Sequence, residues 1–217
     1  MNGPIIELLV LAGIAVFLIL KLRNVLGTRE GFEKPPVPRS TEARKPQFEV
    51  IEGTVDRDIV DHVADGSADA KALAAMKRVD PTFSVTEFIG GAKGAYEMIL
   101  TAFEKGDLAS VRPFLAEDVY DAFAGVVEAR EKQGLTVEAE IIGVGETTLQ
   151  SVDYDPATKE AEITVRYTCE MTYLVRDNAG DIVEGKPNTI RKQKDTWSFA
   201  RKMDSTDPNW LLVATSD

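Results

Sequence analysis

The order of hydrophobic periodicities predicts an α+β fold: an N-terminal transmembrane helix, then helices packed on a curved antiparallel sheet. Three observations carry this. A near-continuous apolar run opens the chain, apolar residues then recur every three or four positions between 85 and 133, and strict alternation takes over after Gly134. The chain has 217 residues, 44% hydrophobic and 28% charged, enough for one domain of ordinary size and an appendage.

The first element is "IIELLVLAGIAVFLILKLR", Ile5 to Arg23. From Pro4 to Leu22 a helix would span roughly 28 Å, matching a hydrocarbon core of ~30 Å. Its lipid-facing material is Ile5, Ile6, Leu8, Leu9, Leu11, Ile14, Val16, Phe17, Leu18, Ile19 and Leu20. Glu7 lies within headgroup reach in the first two turns, and Lys21 and Arg23 can snorkel at the other end. Lys21, Arg23, Arg29 and Lys34 all follow the run and none precedes it, so the body is expected on the cytoplasmic face, or the matrix face in an organelle. A cleavable signal would show the opposite order of charge, and Asn2 stands where myristoylation requires glycine. Residues 1–23 are therefore expected to be a single-pass anchor in the bilayer.

Residues 24–66 read as a flexible tether. The stretch 24–47 holds four prolines and little apolar material, so burial cannot offset its ordering entropy. "DRDIVDHVAD" (56–65) gathers four aspartates with His62 but lacks the glycine and terminal glutamate of a calcium loop. It reads as a solvated acidic helix or turn. The domain proper is expected over 67–217, starting with a short helix at 67–80 that buries Leu73 and Met76.

In "DPTFSVTEF", Ser84 and Glu87 have capping-box spacing and Phe83 and Phe88 that of a hydrophobic staple, so a helix starts at Val85. Gly106 is its C′ residue. Asp107 caps a short helix broken by Pro113, and a second long helix fills about 117–133. The strands follow: one from 135, one at 161–176, one at 189–203 and one at 209–216. Turns at Asp153–Pro156, Asp177–Gly180 and Asp204–Pro208 join them into a meander. In "AEITVRYTCEMTYLVR" the odd positions are apolar, which puts Tyr167, Cys169, Met171 and Tyr173 on the buried face with Trp197 and Phe199 as neighbours.

These residues, with Phe88, Gly90, Gly91, Gly94 and Tyr96 of the first long helix, form the candidate pocket or partner-binding site. "GGAKG" (90–94) sits inside a helical pattern, so it is no phosphate loop. Its glycines are expected to admit a closely packed neighbouring backbone, or else a ligand or partner peptide.

The ordered motifs "DPTF", "FIGGAKGAYEMI", "AFEKGDL", "LAEDVYDAF" and "KDTWSFAR" resemble the C-terminal domain of the forty-four-kilodalton TIM protein family. That family comprises the membrane scaffold of the mitochondrial import motor and bacterial relatives described as adaptors. The resemblance covers about 79–217. It implies a cone similar to the nuclear-transport-factor-two-like fold, with an apolar hollow under the helices. It also implies scaffolding at an inner membrane, with chaperone or translocase contacts.

Composition narrows the classes. A formal net charge of -11 argues against nucleic acid. A single cysteine and a single histidine supply neither a disulfide nor a histidine-rich metal site, and no cofactor is implied. A non-enzymatic adaptor binding lipid bilayer and an unidentified protein partner leads. A carrier of lipid or another apolar ligand is the second reading. The third is a pocket isomerase or dehydratase, for which Asp195 would have to be buried within hydrogen-bond reach of a pocket tyrosine.

Overall fold

A computed structural model describes residues 56–216, which belong to the second of two units, 1–52 and 53–217. The expected anchor at 1–23 lies outside these residues. Among the described residues no helix is long and apolar enough to cross a membrane.

Folding begins earlier than composition suggests. Of the expected tether 24–66, residues 56–66 are part of the domain: α1 (Arg57–Val60) buries Ile59, and His62 Nε2 lies 2.9 Å from Thr86 Oγ1. Helix α2 (Ala68–Val79) follows, capped by Ser67 and burying Ala70, Leu73 and Met76. Helix α3 (Val85–Lys105) starts at Ser84, whose hydroxyl accepts the Glu87 N–H at 3.2 Å. The staple is present, with Phe83 and Phe88 rings 6.3 Å apart. Gly106 ends α3 in the left-handed region at φ 74, and the Asp107 N–H bonds back to the Ala102 carbonyl at 2.9 Å.

The acidic run at 56–65 is more than a solvated turn. Asp58 accepts the amides of Val85 at 2.8 Å and Thr86 at 2.9 Å and the Ser84 hydroxyl at 3.0 Å, while Lys77 Nζ lies 2.7 Å away. The first amides of a long helix have no intrahelical acceptor, and a carboxylate also opposes the positive end of the helix dipole. That is why an acidic stretch binds protein here instead of water.

A 3-10 helix (Leu108–Phe114) contains Pro113 rather than being broken by it, because proline's missing N–H is not needed in so short a turn. The Asp107 side chain makes no cap bond, and Ser110 donates instead to the Asp107 carbonyl. Helix α4 (Glu117–Lys132) buries Val119 and leads to Gly134 at φ 66.

The sheet is an antiparallel meander in the order β1-β2-β3-β4: β1 Thr136–Tyr154, β2 Glu160–Arg176, β3 Ile182–Lys202 and β4 Leu211–Ser216. Strand β3 starts seven residues before the expected 189. Its N-terminal part, Ile182–Ile190, is exposed on both faces and therefore shows no alternation to read. In β2 the odd residues from Ala161 to Met171 are buried as expected. The alternation then fails, because pairing jumps from Thr172↔Ile190 to Leu174↔Gly185, with Pro187 in the looped-out segment. Three further register shifts interrupt the pairing along β1, at Ile141/Gly143, Val144/Thr147 and Leu149/Ser151. Helices α2 and α3 pack along β1, where Asp69 of α2 accepts the Val152 N–H at 2.9 Å.

Asp58 is the test of this arrangement. Burial alone would push its carboxyl up, but Lys77, the Thr86 amide and hydroxyl, and the Val85 amide hold it far below the carboxylate range. Its contribution is complete above the unfolded value of ~4 and declines below it, to be lost only as pH passes the far lower folded value. Asp58→Ala should lower unfolding free energy by about 2 kcal/mol at pH 7. Urea midpoints at pH 7 and pH 3 measure the loss and the start of its decline in acid.

Candidate functional site

The central part of α3 meets the sheet through aromatic rings. Along α3 the residues Val85, Phe88, Ala92, Tyr96 and Ile99 face inward. Odd-numbered residues of β2 and β3 rise to meet them. Tyr96 stacks on Tyr167 with centroids 4.4 Å apart and planes at 16°, and Trp197 lies 4.6 Å from Tyr96. Phe88 makes edge contacts with Trp210 at 4.7 Å and Phe199 at 6.2 Å.

Two hydroxyls need partners in this apolar setting, and both have them. The Tyr96 hydroxyl donates to the carboxylate of Asp195, and Gln193 Nε2 donates to the same oxygen at 2.8 Å. The Tyr167 hydroxyl donates to the Ala92 carbonyl at 3.2 Å. Burial, and then the Asp195 carboxylate, push Tyr96 far above the ordinary phenol range, and burial alone raises Tyr167. Burial also raises the Cys169 thiol, which opposes a nucleophilic role.

The structure gathers Phe88, Tyr96, Tyr167, Cys169, Met171, Trp197 and Phe199 into one core, as expected. Of the other four, Tyr173 packs at the edge of this core and three glycines lie outside it. Gly90, Gly91 and Gly94 are exposed, and a Cβ added to any of them would meet nothing within 4 Å. The expected close packing is therefore absent among the described residues: four-residue spacing marks one side of a helix, and here that side faces outward. Tyr173 is half-buried after the register jump, with the Arg191 guanidinium 4.0 Å over its ring.

The feature required by the enzymatic reading is present, with Tyr96 as the pocket tyrosine. Asp195 is 4% exposed and accepts the Tyr96 hydroxyl. Yet Tyr96, Tyr167, Cys169 and Met171 have no exposed surface. The rings of Tyr96, Tyr167 and Trp197 are in mutual contact. Gln193 and Trp210 were missed by sequence reasoning. Gln193 shares Asp195's register two residues earlier, so alternation could have found it, whereas Trp210 had no nearby signal.

An open groove lies elsewhere, between Glu97, Thr101 and Lys105 of α3 and Ala139–Gly143 of β1, with a volume of about 380 Å³. None of its residues stood out in the sequence.

Helices packed on an open four-stranded antiparallel sheet, fastened by an aromatic core, define an α+β domain. The Tim44-like domain family matches residues 69–217, and the chain belongs to that family. It is 22% identical over 197 residues to the mitochondrial import inner membrane translocase subunit TIM44-1 of Arabidopsis thaliana, a match covering 84% of this chain and 40% of that protein. It is 22% identical over 153 residues to the human translocase subunit TIM44, covering 68% of this chain and 33% of that one. The chain thus spans less than half the length of these relatives. The intermembrane space region of the chloroplast protein ARC6 overlaps with a TM-score of 0.39 at 14% identity, over 60% of this chain and 92% of that one, which carries no argument.

Tyr96→Phe should lower stability by about 2 kcal/mol at pH 7, since a buried carboxylate loses a donor. The unfolded phenol ionises near ~10 while the folded one stays neutral, so this stabilisation is complete below ~10 and is lost as pH rises above it. Denaturation curves from pH 8 to 11 should show a shallower alkaline decline in the variant.

Proposed function

We propose that the chain is a membrane-tethered adaptor whose Tim44-like domain binds a protein partner at the inner face of a membrane, in a process related to protein translocation. The observation that carries this reading is the family match over 69–217, which takes in nearly the whole folded unit. Two curated relatives are named as inner membrane translocase subunits, which supports the membrane setting. The apolar run at 5–20, followed by basic residues, supports a single-pass anchor with the domain on the cytoplasmic or matrix side. The exposed glycines of α3 leave room for a partner backbone on the helix's outer side. In affinity capture from solubilised membranes, the full chain should recover a partner that a control ending at residue 55 does not. The full chain should also stay with membranes in alkaline carbonate. Equal recovery by both, or release by carbonate, would refute the proposal.

A pocket isomerase or dehydratase is the second reading, favoured by the buried Asp195–Tyr96 pair. It requires the core to open. Cys169 is the chain's only cysteine and neighbours this pair, so its thiol reports on opening. The adaptor reading expects a small alkylating reagent to label Cys169 only in denaturant. Labelling of the native protein within seconds would favour the enzyme.

A further inference from the structure

We infer that the N-terminal half of β1 is a docking edge for an extended basic polypeptide segment, which would pair as an added strand and lay side chains into the groove beneath α3. This rests on the adaptor reading and names a site for it.

The strand order leaves β1 on the margin of the sheet. Its two halves are treated differently. In the C-terminal half, α2 packs alongside and Asp69 takes up the Val152 N–H, closing the edge. From Thr136 to Gly143 no described strand lies on the outer side. An unpaired strand margin presents backbone donors and acceptors in register, the recognition surface used when peptides add to a sheet.

Local shape suits an added strand. The floor of the groove is apolar at Ala139 and Ile141, both half-buried. Ile142 is displaced by the register shift and is 51% exposed. Gly143 presents no side chain, and a Cβ there would meet nothing within 4 Å. A glycine in a strand is a place where another backbone can approach.

Charge selects the occupant. Glu138 and Glu140 stand along the strand, and Glu97 stands on the helical rim against a single Lys105. Of these three glutamates only Glu138 has an ion pair among the described residues, with Arg176 at 2.8 Å. A second copy of this chain pairing β1 to β1 would set these glutamates against their equivalents, and like charges on facing strands repel. A segment alternating apolar and basic residues meets both requirements: apolar side chains reach Ala139 and Ile141, and basic ones meet the glutamates.

The test uses the full chain in mild detergent and three ten-residue labelled peptides: alternating valine and lysine, alternating valine and glutamate, and the basic peptide with two central prolines. The basic peptide should bind at least about tenfold more tightly than the other two, since proline removes ladder donors and glutamate meets like charge. Amide exchange should slow at 136–143. The double variant Glu97→Lys with Glu140→Lys, both at exposed or half-exposed positions, should fold normally by circular dichroism and lose at least about tenfold in affinity. Absent binding, equal binding by all three peptides, unchanged affinity in the variant, or protection appearing elsewhere would overturn the inference. So would self-association that protects the same amides. Partner capture that persists in the double variant would refute the groove and leave the adaptor reading standing; loss of capture by the native chain would refute the adaptor reading itself.

Discussion

Tyr96 joins the two layers of this domain. Its ring packs against both Tyr167 and Trp197, and its hydroxyl reaches the carboxylate of Asp195, so one side chain supplies both the packing and the polar contact between helix and sheet. Aromatic pairs add roughly 0.5–1.5 kcal/mol each beyond the area they bury. A charged acceptor in a closed core also tolerates little displacement, because a shifted donor leaves it exposed to desolvation. Helix α3 is consequently fixed in both position and rotation. That rotation turns Gly90, Gly91 and Gly94 outward and brings Glu97, Thr101 and Lys105 over β1.

The two buried or half-buried aspartates that organise the fold look alike in sequence and differ in function. Asp195 terminates a hydroxyl from the helix centre, inside the core. Asp58 gathers the start of the same helix from outside, with Lys77 as counter-ion. Together they hold α3 near its middle and at its N-terminus. Neither needs a substrate to explain it. The tyrosines and acids of the core are taken up by internal bonds.

Much of this was legible from periodicity. The helical caps at Ser84 and Gly106, the buried odd register of β2 and the meander could be read because each depends on neighbours close in sequence. The failures share a cause: they depend on partners far away. Asp58 lies twenty-seven residues from Val85, whose amide it accepts, so its acidic neighbourhood suggested solvent. The glycine spacing identified a helical face without saying which way it turned. Tyr173 followed the alternation on paper, but the Pro187 segment across the sheet displaced the register there. The groove was invisible for the same reason, since α3 and β1 meet only in three dimensions.

The Asp58 attachment also governs how the domain answers mechanical load. Tension arriving along the chain ahead of residue 56 falls first on a four-residue helix, an ion pair and a few hydrogen bonds, whereas the ring stack lies further in. Under pull the molecule would yield like a stitched seam, freeing 56–66 and adding roughly 35 Å of reach before the core bears any strain.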